Sequence, residues 1–147
     1  MKSIFDPAAY QEIIQRMEVL QEGSKGLWGK MSVGQMVWHC QVPVRLAVEN
    51  KKYKKKGNPL VRLLFKKALY NDTPWRKNLP TIPIAKARED KDFIVEREHL
   101  LNLLAELYAL RDRTDWAPHP MFGKLTPQQW GQMQYKHLDH HLRQFGA

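Results

Sequence analysis

Four stretches of the chain repeat apolar residues at helical spacing, and each is bounded by start and stop signals. Tyr10, Ile13, Ile14, Met17 and Leu20 make the first stripe. Asp6-Pro7 supplies a cap and a first-turn proline before it, and the Gly23 to Gly26 stretch ends it. A second helix starts at Ser32, where Gln35 completes a capping box. Its inward face reads as Met36, His39, Cys40, Pro43 and Ala47, and Pro43 should kink it by removing the hydrogen bond to the His39 carbonyl. A third long helix is expected from Lys86 or Ala87 to about Arg111–Arg113. Its stripe is Phe93, Leu100, Leu104, Leu107 and Tyr108, widened by Ile94 and Leu101. The acids Glu89, Asp90, Asp92, Glu96 and Glu98 crowd its first half, and Arg111 and Arg113 its end, as the helix dipole favours. The last helix opens with Thr126, Pro127 and Gln129 and stops at Gly146, giving about 19 residues or roughly 28 Å.

Between the second and third of these lie other textures. Lys51, Lys52, Lys54, Lys55 and Lys56 crowd into six residues and cannot pack together, so a solvated loop is expected. Leu60 to Leu69 reads as a short helix with Arg62, Lys66 and Lys67 outside. Asn71 to Pro83, with three prolines, must be extended and reads as a strap across the helices. Trp116 to Leu125 reads as a loop holding His119. No strand pattern competes, so the fold class is all-α, a helical bundle. The long connection before the third helix permits a crossover.

Composition narrows the function. A length of 147 residues and 43% hydrophobic content suit one domain spanning residues 1–147. No apolar run spans a bilayer and no export signal opens the chain, so no membrane partner is expected. A single cysteine, Cys40, allows no internal disulfide and fits the cytoplasm; it reads as a core residue rather than a nucleophile. The formal charge of +9 invites a nucleic-acid or anionic-surface reading centred on Lys51 to Lys67. No nucleic-acid motif accompanies it, and exposed lysines also serve solubility, so nucleic acid stands as an alternative partner only.

The chemistry lies in the histidines. His137 and His141 are four apart, so both point to one side of the last helix, in line with Trp130 and Met133. Two imidazoles at that spacing can grip one metal ion; half-exposed surface histidines are the bland alternative. His140 lies about 100° round from His141 and is kept as a neighbour of the ligands, though its exchange with either is open. His39 is a third imidazole beside an apolar stripe, which alone would read as a core histidine. Helices of a bundle converge inward, so His39, His137 and His141 could form a three-imidazole site with an open position. Imidazole suits several transition metals, zinc and nickel first. Gln35, His119 and Gln144 are candidates to line the pocket or to hold the ligands from behind, against readings as a cap, a loop histidine and a surface glutamine.

At these residues the sequence resembles a family. Ser32-Val-Gly-Gln35-Met-Val-Trp-His39, then His119-Pro-Met-Phe-Gly-Lys-Leu-Thr126 with Trp130, and His137-x-x-His140-His141-x-x-Gln144 resemble the DinB/YfiT-like superfamily, in a branch of unknown function. The resemblance implies a four-helix bundle in up-down-down-up order. It also implies a divalent metal on one histidine of the second helix and an HxxxH pair of the last, mapping onto His39, His137 and His141. Several relatives are transferases that use low-molecular-weight thiols, and homodimers are frequent. The expected function is therefore a metal-dependent enzyme acting on a small molecule, with a thiol as cosubstrate. A metal-dependent hydrolase is the alternative, but it wants an inward acid or base, and Asp139 points away from His137. A metal-free helical interaction module is the third reading.

Overall fold

A computed structural model describes residues 1–53 and 57–147. Lys54, Lys55 and Lys56, part of the expected lysine loop, lie outside the described residues. Those residues form five α-helices and no strand: α1 (Pro7–Val19), α2 (Val33–Glu49), α3 (Pro59–Phe65), α4 (Phe93–Ala109) and α5 (Pro127–Gln144). Two single 3-10 turns, Lys67–Leu69 and Pro83–Ala85, punctuate the segment between α3 and α4. None of these helices is long and apolar enough to cross a membrane.

Local chemistry sets the helix starts. Ser32 Oγ accepts from the Gln35 amide at 3.2 Å and Gln35 Oε1 accepts from the Ser32 amide at 3.1 Å. Thr126 and Gln129 repeat that reciprocal pair at α5, with contacts of 3.1 and 3.0 Å. Asp6 occupies the cap position of α1, but its carboxylate accepts from the Ser3 amide at 3.0 Å instead of capping the helix. Asn50 ends α2 in the left-handed region, φ 49°, and its side chain is bonded to Asp115 and Ala117.

α4 begins six or seven residues later than the apolar pattern implies. The segment before it is tied to the start of α2: the Glu89 carbonyl accepts from Gln35 Nε2, and Asp90 accepts from Ser32 Oγ. Asp92 then caps α4 by accepting from the Val95 amide at 3.0 Å. Glu89 and Asp90 thus lie outside the helix, as do Arg111 and Arg113 at the other end, and only Glu96 sits in the first turn to meet the dipole. Ile94, expected to widen the buried face, is exposed.

The core joins Ile13 and Met17 of α1, Met36, Val37 and Val44 of α2, Leu100, Leu104 and Leu107 of α4, and Leu138 and Leu142 of α5. α2 packs most extensively on α4, and α5 packs on both α1 and α2. Gly34 lets α2 close on the segment leading into α4: a Cβ there would stand 1.9 Å from the Lys91 carbonyl oxygen. α2 runs unbroken through Pro43, whose carbonyl accepts from Gln134 Nε2 of α5 at 2.8 Å. α5 is buried on more than one face, because the N-terminal arm also covers it at Gly131, where the Ile4 amide donates to the carbonyl at 3.0 Å.

α3 faces opposite to expectation. None of its seven residues is buried, and Leu60, Leu63 and Leu64 project into solvent. Arg62 lies instead against Gly123, and Lys66 Nζ donates to the Lys124 carbonyl. The Lys66 bond to the Lys124 carbonyl and the Gly57 amide bond to the Pro120 carbonyl tie this segment to the loop before α5, where the pattern alone would have used the leucines.

Candidate metal centre

His39 comes from the middle of α2, and His137 and His141 from successive turns of α5. One ring nitrogen from each lies within 4.8 Å of the others. His39 Nε2 and His137 Nε2 are 3.0 Å apart, and the ring centroids are separated by 4.9, 4.7 and 4.7 Å. Two imidazoles on one tetrahedral ion, at metal–nitrogen distances near 2.0–2.1 Å, hold their nitrogens about 3.4 Å apart. The observed approach is of that order.

Neighbouring oxygens set the tautomers. His39 Nδ1 lies 2.7 Å from the Ala85 carbonyl oxygen, which only accepts, so Nδ1 carries the hydrogen and Nε2 a lone pair. His141 Nδ1 lies 2.8 Å from Gln144 Oε1. That amide cannot be reversed without loss, because its Nε2 donates to the Trp28 carbonyl at 2.7 Å. His141 Nε2 is therefore also a lone pair. His137 Nδ1 is buried with no hydrogen-bond partner. Without an ion, His137 Nε2 can give its one hydrogen to His39 Nε2, 3.0 Å away, and its own buried Nδ1 is then a lone pair with no donor, a costly arrangement in a protein interior. A cation held by all three Nε2 atoms lets His137 keep its hydrogen on Nδ1 and uses the two fixed lone pairs of His39 and His141, so the donor set fits a metal ion.

Burial keeps the cluster neutral. It pushes His137 well below the ordinary imidazole value, with further depression from His141, His39 and His140. His141 is lowered to about 3, chiefly by burial and then by His39. His39 is lowered by burial, opposed by its bond to Ala85. No carboxylate acts on any of the three rings. Asp139 is turned away, bonded to Arg16 at 2.8 Å and near Arg143 at 3.7 Å.

The surroundings were only partly visible in sequence. His140 lies beside the cluster, its ring 5.1 Å from that of His141 and 5.8 Å from both Trp28 and Trp75. Trp75, in the strap, also meets His137 edge-on at 5.9 Å. Trp75 Nε1 donates to the Ala68 carbonyl at 2.8 Å. Lys136 Nζ donates to the same carbonyl and to the Asn71 backbone and side-chain oxygens, at 2.7 to 2.8 Å, pinning the strap to α5. Burial lowers its pKa. Sequence reading missed Trp75, Lys136 and the carbonyls of Ala85 and Trp28. A tryptophan inside a proline-rich strap was a usable signal; the backbone oxygens carry none.

The other candidates stand elsewhere. Gln35 uses both side-chain polar atoms in capping α2 and binding Glu89. His119 closes a small loop onto Gly123 and packs on Phe122 and Trp130, outside the three-imidazole group. Cys40 is buried against Met36, and burial raises its thiol pKa. Lys51 pairs with Glu49 at 3.0 Å, and Lys51 and Lys52 are exposed.

Comparison with curated proteins finds no match, and neither does comparison with solved structures. A family model described as "Protein of unknown function (DUF1569)" matches residues 5–147, all three clustered histidines included. The chain, matched over nearly its whole length, belongs to that family.

Proposed function

We propose that His39, His137 and His141 hold one divalent metal ion, zinc or nickel, in a thiol-dependent transferase acting on a small molecule. The observation that carries this reading is the pair of committed Nδ1 hydrogens. Ala85 and Gln144 each fix one imidazole with its Nε2 lone pair turned to a common point, which His137 shares. When bound, such an ion supplies Lewis acidity that favours the anionic form of a thiol beside it.

The residues support thiol chemistry over hydrolysis. Three neutral ligands and no acting carboxylate leave the full cationic charge to be met by an anionic cosubstrate. A hydrolytic site needs a positioned acid or base, and the nearest carboxylate in sequence, Asp139, is held by arginines. Trp28, Trp75 and His140 supply apolar and aromatic surface on which a small substrate is oriented and water excluded.

The same reading takes the four long helices as a DinB/YfiT-like four-helix bundle in up-down-down-up order, one domain working in the cytoplasm as a homodimer. The α2–α4 and α1–α5 packing, with the long connection from α2 to α4, supports that order. The test is elemental analysis of untagged protein purified without chelator. About one ion per chain is expected. It should be lost from the His39→Ala, His141→Ala double variant with helical circular dichroism kept. Loss should also abolish thiol consumption in a screen of electrophiles. Protein that takes up no zinc or nickel on reloading would discard the proposal.

A further inference from the structure

We infer that a cleft between Trp38 of α2 and the segment leading into α4 binds a nucleoside phosphate. The cleft measures about 360 Å³, within the range of small-molecule sites, and none of the three clustered histidines lines it. Trp38, Ile84, Lys86, Arg88, Glu89 and Lys91 are among the residues that do. Its walls are fixed to one another. Trp38 is half-buried on α2, and the facing segment is tied to that same helix at three points. The Ala85 carbonyl accepts from His39 Nδ1 at 2.7 Å, the Glu89 carbonyl from Gln35 Nε2 at 3.1 Å, and the Asp90 carboxylate from Ser32 Oγ at 3.2 Å. The cleft is therefore formed before any ligand arrives.

The lining chemistry selects the ligand. Lys86, Arg88 and Lys91 bring three cations to one cleft, and none of them makes an ion pair among the described residues. Cations so grouped suit a phosphate. Trp38 offers an indole face on which a base stacks. Lys91 Nζ stands over that ring at 5.5 Å; a base takes its place and releases the ammonium to a phosphate. Glu89 is the one acid of the lining, and its carboxylate is an acceptor for ribose hydroxyls. Bare phosphate would leave the indole unused and meet the Glu89 charge. A nucleic-acid strand needs a groove several nucleotides long, which a cleft of this size does not provide. The inference does not rest on the metal.

The test is calorimetric titration of the full chain with ADP, GDP, CDP and UDP in turn. EDTA is present, so that no ion at the histidines holds the phosphates. At least one nucleotide is expected to bind at one site per chain, about tenfold or more tighter than its nucleoside or inorganic phosphate. The Lys86→Ala, Arg88→Ala variant alters two exposed positions. It should weaken that binding about tenfold or more with circular dichroism unchanged, and Trp38→Leu should act in the same direction. The inference is overturned if none of the four binds, if inorganic phosphate binds as tightly as the nucleotide, or if the double variant binds like the parent. A single-stranded oligonucleotide that binds more tightly than every mononucleotide, and is weakened by the same variant, also overturns it, since the cleft would then belong to a strand.

Discussion

Gln144 shows how a single side chain commits another. Its oxygen takes the His141 Nδ1 hydrogen while its nitrogen is held by the Trp28 carbonyl. Gly29 lies against the same amide with φ 82°, so close that a Cβ would stand 2.6 Å from Gln144 Nε2. Gln144→Leu removes the acceptor at nearly constant volume. We expect metal affinity to fall about 10- to 100-fold, read by competition with a chromogenic chelator, with helix content retained. Unchanged affinity would mean His141 is oriented by packing alone.

His119 carries a second residue-scale prediction, independent of metal. Its Nδ1 accepts from the Met121 and Phe122 amides at 3.1 and 3.3 Å, and burial lowers its pKa from 6.5 to about 4. The unfolded chain therefore takes up a proton that the folded chain refuses. The contribution is complete above the unfolded value and is lost as pH falls from about 6.5 toward 4, by up to about 3 kcal/mol. Asparagine can supply an oxygen to the same amides, so His119→Asn should show a shallower fall in urea midpoint across that window. An identical slope would place the acid sensitivity elsewhere.

Among elements, the strap depends on α5 through one lysine. Lys136 is 7% exposed and is met by three oxygens of residues 68 and 71. Lys136→Met keeps the stem and takes the donor from both Asn71 oxygens, leaving the Ala68 carbonyl to Trp75, at a cost of about 2–3 kcal/mol. Hydrogen exchange should accelerate through residues 71–85 before it does in α2 or α4; uniform acceleration would refute a local role. This element also marks where sequence reading stops. The caps of α2 and α5 and the His137/His141 spacing were legible because their partners lie three or four residues away. The start of α4 was not, because Gln35 and Ser32 take hold of Glu89 and Asp90 from more than fifty residues away. The orientation of α3 was missed for the same reason: an apolar stripe predicts a buried face only if something is there to bury it.

For the whole molecule, the proposed ion joins α2 to α5, and through Ala85 it also reaches the 3-10 turn at the end of the strap. Binding to the folded state alone stabilises it by about 2.7 kcal/mol when the free ion is at a hundred times its dissociation constant. For a chain of this length that raises the melting temperature by several degrees. His137→Ala should show no such rise, and a rise of equal size would assign the stabilisation to another site.

The tryptophan beside the cluster gives the protein an optical consequence. Trp75 stands 5.9 Å from the His137 ring, and Trp28 stands 5.8 Å from His140. A paramagnetic ion such as nickel or cobalt at the cluster would quench indole emission over that range, whereas zinc would leave it bright. Loss of indole emission on adding nickel or cobalt, absent on adding zinc, is therefore the expected sign of an ion at the proposed site, and Trp75→Phe should weaken it.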